Sequence, residues 1–387
     1  MKIKQLQWVS GKSWKEKPGN DQVDKPQLIL FFTTLDKKEI EERCEDLKQQ
    51  FGNQNELNLV GCTSAGEIYH DDVYENTLSA TAIEFDHAEV KVSVAQIGTG
   101  PEASFNAGKE VAAKLPSENL RGVIVISDGL KVNGSELVKG IQSGLGKAVP
   151  LSGGLAGDQD RFSETYVYAN GEAKSGQLAL IGLYGNLDIG HGSVGGWDEF
   201  GPVRTISASN GNILEKIDDE FALDLYKKYL GEEHSKKLPG SALLFPILVY
   251  PEGKKDQALV RTVLAVDEGS KTMTFAGDVP TGYCAQLMRA NFDHIIDAAG
   301  EAAGIARVDT GGQVSFALLI SCVGRKMILG QRTADEIESV QEKLGKNTHQ
   351  LGFYSYGEIS PIVNIKDSCA LHNQTMTITV ISEKKAS

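Results

Sequence analysis

Two stretches of eight residues, GCTSAGEI at residues 61–68 and GFYSYGEI at residues 352–359, decide how this chain is organised. They agree at five of eight positions: the first Gly, the Ser, the second Gly, the Glu and the Ile. A third stretch, VPLSGGLAGD at residues 149–158, ends in the comparable pair Gly157 and Asp158. Similar segments that recur along a chain indicate internal repeats, which affect the interpretation of every other feature.

The residues before and after each stretch repeat as well. An apolar run typical of a buried strand comes first, and a segment with apolar residues at helical spacing follows it. Alternating runs that indicate β-hairpins follow the first two stretches, and a single terminal strand at 375–381 follows the third. The predicted strands are residues 27–33, 121–126 and 314–321, the helices 37–51, 134–145 and 333–344, and the hairpins 78–97 and 177–194.

A segment that lacks the repeated pattern separates the second and third repeats. Residues 213–230 and 282–300 are predicted helices, and residues 241–250, 258–267 and 271–275 are predicted strands. We therefore divide the chain into an N-terminal extension (1–26), an N-terminal module (27–210) and a C-terminal module (211–387). The alternation of strands, helices and hairpins predicts a mixed α/β fold, in which repeated strand–helix–loop–hairpin units form mixed β-sheets covered by helices.

Composition and charge exclude several classes of protein. Hydrophobic residues make up 41% and charged residues 24%, which is typical of a globular protein. The net charge of −13 argues against nucleic acid or an anionic membrane as a partner, because both attract basic surfaces. The start of the chain has no apolar signal segment, and the longest uncharged apolar stretches are roughly eleven residues against the ~20 that span a bilayer. We expect a cytoplasmic protein.

Cysteine and histidine spacing gives no compact metal site. The five cysteines are an odd number without a CxxC pair, so we expect thiols rather than disulfides or a zinc site. The seven histidines include no HxH or HxxxH pair. Three of them, His191, His372 and His294, have surroundings that suit either a hydrogen-bonded structural imidazole or a single axial haem ligand.

Catalytic motifs are absent or incomplete. Cys62 stands where a nucleophile elbow needs its first Gly, and SGGLAGD at residues 152–158 fits no nucleotide-binding pattern. The acids Glu67, Asp158 and Glu358 either converge as general acids and bases or accept backbone N–H groups in their own turns. Repetition of the turn favours the second interpretation. We do not expect an enzyme.

Further motifs carry a resemblance to a known family. They are GHGSVGGWDEFGPVRTI at 190–206, SCVGRKMILGQRTADEI at 321–337 and LHNQTMT at 371–377. With the repeated stretches, they make residues 27–381 resemble the bacterial FIST sensory proteins, which have an N-terminal and a C-terminal FIST module. The resemblance implies a small-ligand sensor that acts through a partner protein and forms either a monomer or a homo-oligomer.

The resemblance leaves two ligand classes open. One is an amino acid or another small polar metabolite, and the other is haem b with nitric oxide, as in the nitric-oxide-sensing (NosP) branch, whose partner is a sensor histidine kinase. For haem, one of His191, His372 and His294 is the implied iron ligand, and without a CxxCH motif the haem is not covalently attached. For the small ligand, Arg325 suits a carboxylate. The candidate binding set is Cys62, Thr63, Ser64, Glu67, Asp158, Arg325, Tyr354, Ser355, Glu358 and Asn373.

Overall fold

The structure, a computed structural model, describes residues 1–10, 13–52, 57–308, 310, 314–362 and 368–384. Its strands, in chain order, are β1 (Lys2–Val9), β2 (Lys15–Glu16), β3 (Leu28–Thr33), β4 (Asn58–Thr63), β5 (Glu67–Tyr69), β6 (Asp72–Tyr74), β7 (Thr77–Glu84), β8 (Glu89–Gln96), β9 (Leu120–Ser127), β10 (Leu151–Leu155), β11 (Val167–Ala169), β12 (Glu172–Lys174), β13 (Gln177–Tyr184), β14 (Leu187–Val194), β15 (Asp198–Asn210), β16 (Ile213–Ile217), β17 (Glu220–Phe221), β18 (Ile247–Tyr250), β19 (Leu259–Arg261), β20 (Val263–Asp267), β21 (Thr272–Phe275), β22 (Cys284–Arg289), β23 (Phe316–Cys322), β24 (His349–Ser355), β25 (Gly357–Pro361), β26 (Cys369–His372) and β27 (Met376–Glu383). Its helices are α1 (Lys37–Gln50), α2 (Pro101–Ala113), α3 (Gly134–Leu145), α4 (Ala222–Ser235), α5 (Phe292–Val308), α6 (Val323–Leu329) and α7 (Thr333–Leu344).

Three of the four sheets are built to one plan, which confirms the mixed α/β prediction. Each contains a parallel pair of strands joined by a helical segment: β3 and β4 through α1, β9 and β10 through α3, and β23 and β24 through α6 and α7. An antiparallel strand then pairs with the first strand of each pair: β7, β13 and β27. The three repeats inferred from the sequence are therefore three structural units.

The helices of the first two units begin in the same way. Asp36 caps α1 by accepting the backbone N–H of Glu39, and Asn133 caps α3 by accepting that of Glu136, both at 2.9 Å. Side-chain acceptors at this position satisfy an amide that has no partner within the helix.

The small hairpins are exchanged between units. β5 and β6 follow β4 in the chain, but β5 pairs with β24, so that Ile68 lies opposite Gly352. β11 and β12 of the second unit extend the first sheet through β4, and β25 and β26 of the third unit extend the second sheet through β10. The first and third stretches, predicted as loops, are therefore strand–turn–strand segments, because their second halves form strands of another unit's sheet.

The three sheets share one core. Phe32, Ile126, Ile181 and Phe353 are buried together in it, and the rings of Phe32 and Phe353 stack with centroids 4.4 Å apart. Helices cover the outer faces: α1 packs on the first sheet, α2 and α3 on the second, and α5 and α7 on the third. No helix in the described part of the chain is long and apolar enough to cross a membrane.

Between β14 and α5 the chain forms an eight-stranded sheet of its own, which we call the inserted sheet. Seven strands follow the order β19-β18-β22-β15-β16-β21-β20, and the eighth, β17, pairs with β16. The predicted helix at 282–300 is wrong at its start, since β22 is a strand and α5 begins at Phe292. The predicted helix at 213–230 likewise begins as β16 and β17 before α4. β22 is mostly buried and pairs on both sides, so it lacks the strict polar–apolar alternation that identifies a half-buried strand.

Candidate functional site

The three repeated turns meet in a closed ring of backbone hydrogen bonds. Ala65 of the first unit donates to the carbonyl of Tyr354 at 2.8 Å, and Tyr356 of the third unit donates to Leu155 at 3.1 Å. Gly157 of the second unit completes the ring by donating to Thr63 of the first at 3.0 Å. The carboxyl ends of the three parallel strand pairs therefore lie together at one end of the shared core.

The first Gly of each repeat is required for the same physical reason. A Cβ at Gly61, Gly153 or Gly352 would collide with a carbonyl oxygen of the neighbouring parallel strand. Aligning the repeats on these glycines places Asp158 opposite Gly66, and not opposite Glu67. The Gly-acid pair of the middle unit is therefore displaced by one residue from the pairs of the other two.

Glu67 and Glu358 occupy equivalent, fully buried positions. Ser64 Oγ donates to Glu67 at 2.9 Å, and Ser355 Oγ donates to Glu358 at 3.0 Å. The second oxygen of Glu67 accepts from the Thr77 hydroxyl, and that of Glu358 accepts both the backbone N–H (3.1 Å) and the hydroxyl (2.9 Å) of Thr375. Burial raises the pKa of Glu67 to about 8 and that of Glu358 to about 7. Both carboxyls are held by neighbouring groups of the chain.

Asp158 is held differently. Its carboxylate accepts hydrogen bonds at 2.9 Å from the N–H and hydroxyl of Ser163 and from the N–H of Glu164, and it also accepts the Tyr356 hydroxyl. Burial acts to raise the pKa of Asp158, but the hydrogen bonds from Tyr356, Glu164 and Ser163 together hold it below its usual value. Asp158 therefore ties its own turn to the third unit.

Arg325, predicted to take a ligand carboxylate, is fully buried and bonded within the chain. Its Nε and Nη2 donate to Glu336 at 3.1 and 2.9 Å, and its Nη1 and Nη2 donate to the carbonyls of Gly195 and Ile295 at 2.6 Å. Glu336 also accepts the hydroxyls of Tyr354 and of Ser321. Glu336 could not be singled out from the sequence, because it is one of four acids on the amphipathic helix α7.

Cys62 and Thr63 complete the predicted set near the turns. Cys62 is buried in the shared core, and burial raises the pKa of its thiol well above the usual value. Thr63 Oγ1 accepts the N–H of Tyr166 at 3.0 Å. The five cysteines, all in the described part of the chain, form no disulfide.

A cavity of about 300 Å³ lies where the second unit, the third unit and the inserted sheet meet. Asn373 is the only residue of the predicted binding set that lines it. Thr262, between β19 and β20, lines it from the inserted sheet, and Gly129 and Leu155 line it from the second unit. Cavities of this size between structural units are the usual location of small-molecule sites.

Two polar side chains in the cavity wall are unsatisfied. Asn373 is 1% exposed and Thr262 5% exposed. The Asn373 Nδ2 donates to the His372 carbonyl at 2.9 Å, but its Oδ1 and the Thr262 Oγ1 have no hydrogen-bond partner among the described residues. Buried polar atoms are nearly always bonded in native proteins, so two such atoms in one cavity wall indicate a place for a ligand.

The residues behind this wall are also unusual. The side-chain amide of Gln374 is buried against Gly324, and neither its oxygen nor its nitrogen is hydrogen-bonded within the described part of the chain. The backbone of Gln374 has a φ of 61°. Arg261 is buried and donates to the carbonyls of Asp278 (3.0 Å), Leu371 (3.1 Å) and Val260 (3.2 Å). Burial lowers the pKa of Arg261 to about 10, which leaves it a cation at neutral pH.

The mouth of the cavity is apolar. Leu130, Phe162, Leu264 and Met327 line the cavity and are among the exposed large hydrophobic residues of the chain. The ring of Phe162 stacks on that of Tyr356, with centroids 4.6 Å apart and an interplanar angle of 17°. We call these four exposed residues the apolar rim.

The three candidate haem ligands lie away from this cavity. Burial lowers the pKa of His191 to about 4; its Nδ1 lies 3.3 Å from Thr379 Oγ1, and its Nε2 is buried without a described partner. Burial also lowers the pKa of His372 to about 4, and its Nε2 donates to the Ser360 carbonyl at 3.3 Å. His294 is exposed and lies 2.7 Å from Asp198. Among the described residues, no cluster of three or more potential metal-ligating side chains exists.

Comparison with known proteins assigns the family. The FIST N domain model matches residues 27–220 and the FIST C domain model matches residues 222–361. The chain therefore belongs to the FIST family, whose domains are small-ligand sensors in signalling proteins.

Other comparisons add little. No curated protein matches the chain. The crystal structure of cyanuric acid hydrolase from A. caulinodans is similar over 92% of this chain and 90% of that one, with 10% sequence identity and a TM-score of 0.35. At these values the similarity has no bearing on the activity of this chain.

Sequence reasoning missed most of the cavity. Thr262, Arg261 and the rim residue Leu264 come from the inserted sheet, which the repeats do not predict. Phe162 had no distinguishing signal. Tyr356 lies in the repeated stretch 352–359, but at a position that the first stretch does not share. Asn373 and Gln374 lie in the LHNQTMT motif, so the family resemblance pointed to this wall.

Proposed function

We propose that this chain is a cytoplasmic sensor that binds a small ligand in the cavity between the second unit, the third unit and the inserted sheet, and that it signals through a partner protein. The observation that carries the proposal is the pair of unbonded acceptors, Asn373 Oδ1 and Thr262 Oγ1, in one wall of the cavity. Membership of the FIST family supports the same function.

The position of the cavity supplies a signalling mechanism. A ligand bonded to Thr262 and Asn373 connects the inserted sheet with the turn between β26 and β27, while Leu130 contacts it from the second unit. Such a ligand stabilises arrangements in which these three parts are close together. A ligand that binds these arrangements more tightly than the others shifts the population of the chain toward them, and the difference in affinity sets the size of the shift. A partner that binds the inserted sheet and one of the units responds to that shift.

The experiment is a thermal-shift screen of small metabolites, including the free amino acids, on the wild-type chain and on Thr262→Val. A ligand that binds only the folded state raises the melting temperature. A site ligand raises it in the wild type and raises it less in Thr262→Val. Thr274→Val, on β21 of the same sheet and away from the cavity, is the matched control. Ligands whose effect is the same in all three proteins contradict the assignment of the site.

Haem b remains a prediction with less support from the geometry. His191 has the neutral, unbonded Nε2 that an iron ligand requires, but neither it nor His372 or His294 lines the cavity. The residues around the cavity therefore do not fit a histidine-ligated haem. The visible spectrum after addition of haemin tests this directly. A sharp Soret band that shifts with nitric oxide and is lost in His191→Ala supports the haem sensor, and loosely adsorbed haemin excludes it.

A sensor histidine kinase is the predicted partner of the haem version, and either such a kinase or another signalling protein is that of the small-ligand version. Autophosphorylation of such a kinase, measured with and without this chain, tests the partnership. An effect of the chain that changes on addition of a ligand from the screen supports it, and a rate independent of the chain contradicts it.

A further inference from the structure

The charge of the cavity lining restricts the class of ligand. None of the described residues that line it is Asp, Glu, Lys, Arg or His. A charged group that leaves water for such a lining loses its hydration and gains no ion pair, which is unfavourable by several kcal/mol or is avoided by neutralisation. The lining therefore selects against anions and cations alike.

Arg261 sharpens this selection against cations. It adjoins Thr262 and is buried, and its guanidinium donates to three backbone carbonyls rather than to a carboxylate. Its positive charge repels an ammonium group in the cavity. A free amino acid is disfavoured because Arg261 repels its ammonium group and because neither of its charges finds an ion pair in the lining.

The unsatisfied atoms specify what the ligand presents instead. Asn373 Oδ1 only accepts hydrogen bonds, because the amide nitrogen is identified by its bond to the His372 carbonyl. Thr262 Oγ1 accepts as well as donates. A ligand that satisfies both has neutral N–H or O–H donors on one edge.

Apart from Asn212, Cys322 and the Tyr356 hydroxyl, the remaining side chains of the lining are apolar. Tyr356 and Phe275 line the cavity together with Gly129 and Gly324, and the apolar rim surrounds the mouth. Side chains cannot be added at Gly129, where a Cβ would collide with the Ala156 carbonyl. Aromatic surfaces next to glycine backbone suit a ring.

We infer that the ligand is a small uncharged ring compound whose neutral N–H or O–H groups donate to Asn373 Oδ1 and Thr262 Oγ1. This inference rests on the proposed function, because it takes the cavity as the ligand site. It adds the chemical class, which nothing in the repeats or the family assigns.

The test uses four probes that share one ring and differ in one group: benzamide, benzoate, benzylammonium and methyl benzoate. Binding to the full chain is measured by saturation-transfer NMR titration. Benzamide, which is neutral and carries N–H donors, should bind at least tenfold more tightly than the two ions. Methyl benzoate, which is neutral without a donor, should also bind more weakly than benzamide.

Two variants locate the effect. Thr262→Val removes a hydroxyl with no described partner and should weaken benzamide about tenfold, the size of one lost hydrogen bond to a buried group. Asn373→Leu should weaken it similarly. Thr274→Val should leave it unchanged. Circular dichroism establishes that each variant is folded, and Thr262→Val keeps the test valid if Asn373→Leu fails to fold.

The outcomes separate the two levels of inference. If benzoate or benzylammonium binds more tightly than benzamide, and Thr262→Val weakens that binding, the ligand class is wrong and the site stands. If the probes bind but neither cavity variant changes their affinity, the site itself is wrong. Binding of none of the four contradicts the inferred class.

Discussion

Two buried polar regions, one within the third unit and one between the third unit and the inserted sheet, differ in how completely their hydrogen bonds are satisfied. Around Glu336, every partner is present: Arg325, Tyr354 and Ser321 all bond to its carboxylate. Around the cavity, Asn373 Oδ1 and Thr262 Oγ1 are equally buried but have no described partner. Polarity and burial alone therefore do not distinguish a binding site from a structural network. Unmet hydrogen bonds in the wall of a cavity do, because such atoms have both a missing partner and space for one.

The largest effect is expected where the network is complete. Arg325→Met leaves the Glu336 carboxylate buried without its cation and frees the carbonyls of Gly195 and Ile295. Breaking a buried ion pair from one side costs about 3–5 kcal/mol, and urea denaturation measures it as a fall in the free energy of unfolding. Arg332→Met, which breaks exposed ion pairs with Asp293 and Asp335, is the control and should change it by less than about 1 kcal/mol. Equal effects of the two would show that the network is not buried as described.

The second effect concerns the two buried carboxyls of the repeated turns. The pKa of Glu67 is raised to about 8 and that of Glu358 to about 7 in the folded chain, against 4.5 in the reference state. Between pH 4.5 and 8 the folded state thus holds more protons than the unfolded state, so stability is highest at the acid end and falls as pH rises. We expect each of these groups to lower the free energy of unfolding by on the order of 3 kcal/mol between pH 5 and 8.

Glutamine variants test the source of that slope. Glu67→Gln and Glu358→Gln remove the titrating groups and should each flatten the dependence of melting temperature on pH. Glu84→Gln is the control, because the pKa of Glu84 is lowered to about 2, mainly by the hydrogen bond from Lys2, and it stays ionised throughout the range. An unchanged slope in both buried variants would assign the pH dependence to other groups.

The smallest effect is expected from a Thr→Val substitution in the cavity wall. The same substitution beside a satisfied buried carboxyl allows a direct comparison. Thr375→Val removes a hydroxyl that donates to Glu358 at 2.9 Å and should cost about 1–3 kcal/mol. Thr262→Val removes a hydroxyl with no described partner and should change the free energy of unfolding by less than about 0.5 kcal/mol, or raise it. Urea denaturation without ligand measures both. A larger loss for Thr262→Val would mean that its hydroxyl is bonded in the folded chain.

The sequence predicted the repeats well because their cause is local. In each unit, one residue of the second parallel strand lies so close to a carbonyl of the first strand that only glycine fits. Gly61, Gly153 and Gly352 occupy these positions. The sequence comparison matched Asp158 with Glu67, because both acids follow a Gly, but the structure places Asp158 opposite Gly66, one residue earlier. The confirmed part of the fold thus follows from backbone geometry.

The cavity was not predicted because its residues are distant in the chain. Thr262 and Asn373 meet only after the inserted sheet packs against the third unit, and no periodicity encodes that contact. Arg325 appeared available for a ligand because nothing in the sequence distinguishes its partner Glu336 from the other three acids of α7. Burial of an ion pair depends on tertiary packing, which a local pattern does not show.

The exchange of hairpins has a consequence for how the chain folds. β5 needs β24 and β10 needs β25, so the matched FIST N and FIST C segments complete each other's sheets, and β14 of the FIST N segment needs β27, which follows the FIST C segment. Neither segment alone can pair all of its strand edges, and an unpaired edge promotes aggregation. Contacts between such distant parts of the chain slow folding, since long loops must close before the pairing stabilises them. We therefore expect the two segments to unfold in one transition and to fail as separately expressed fragments.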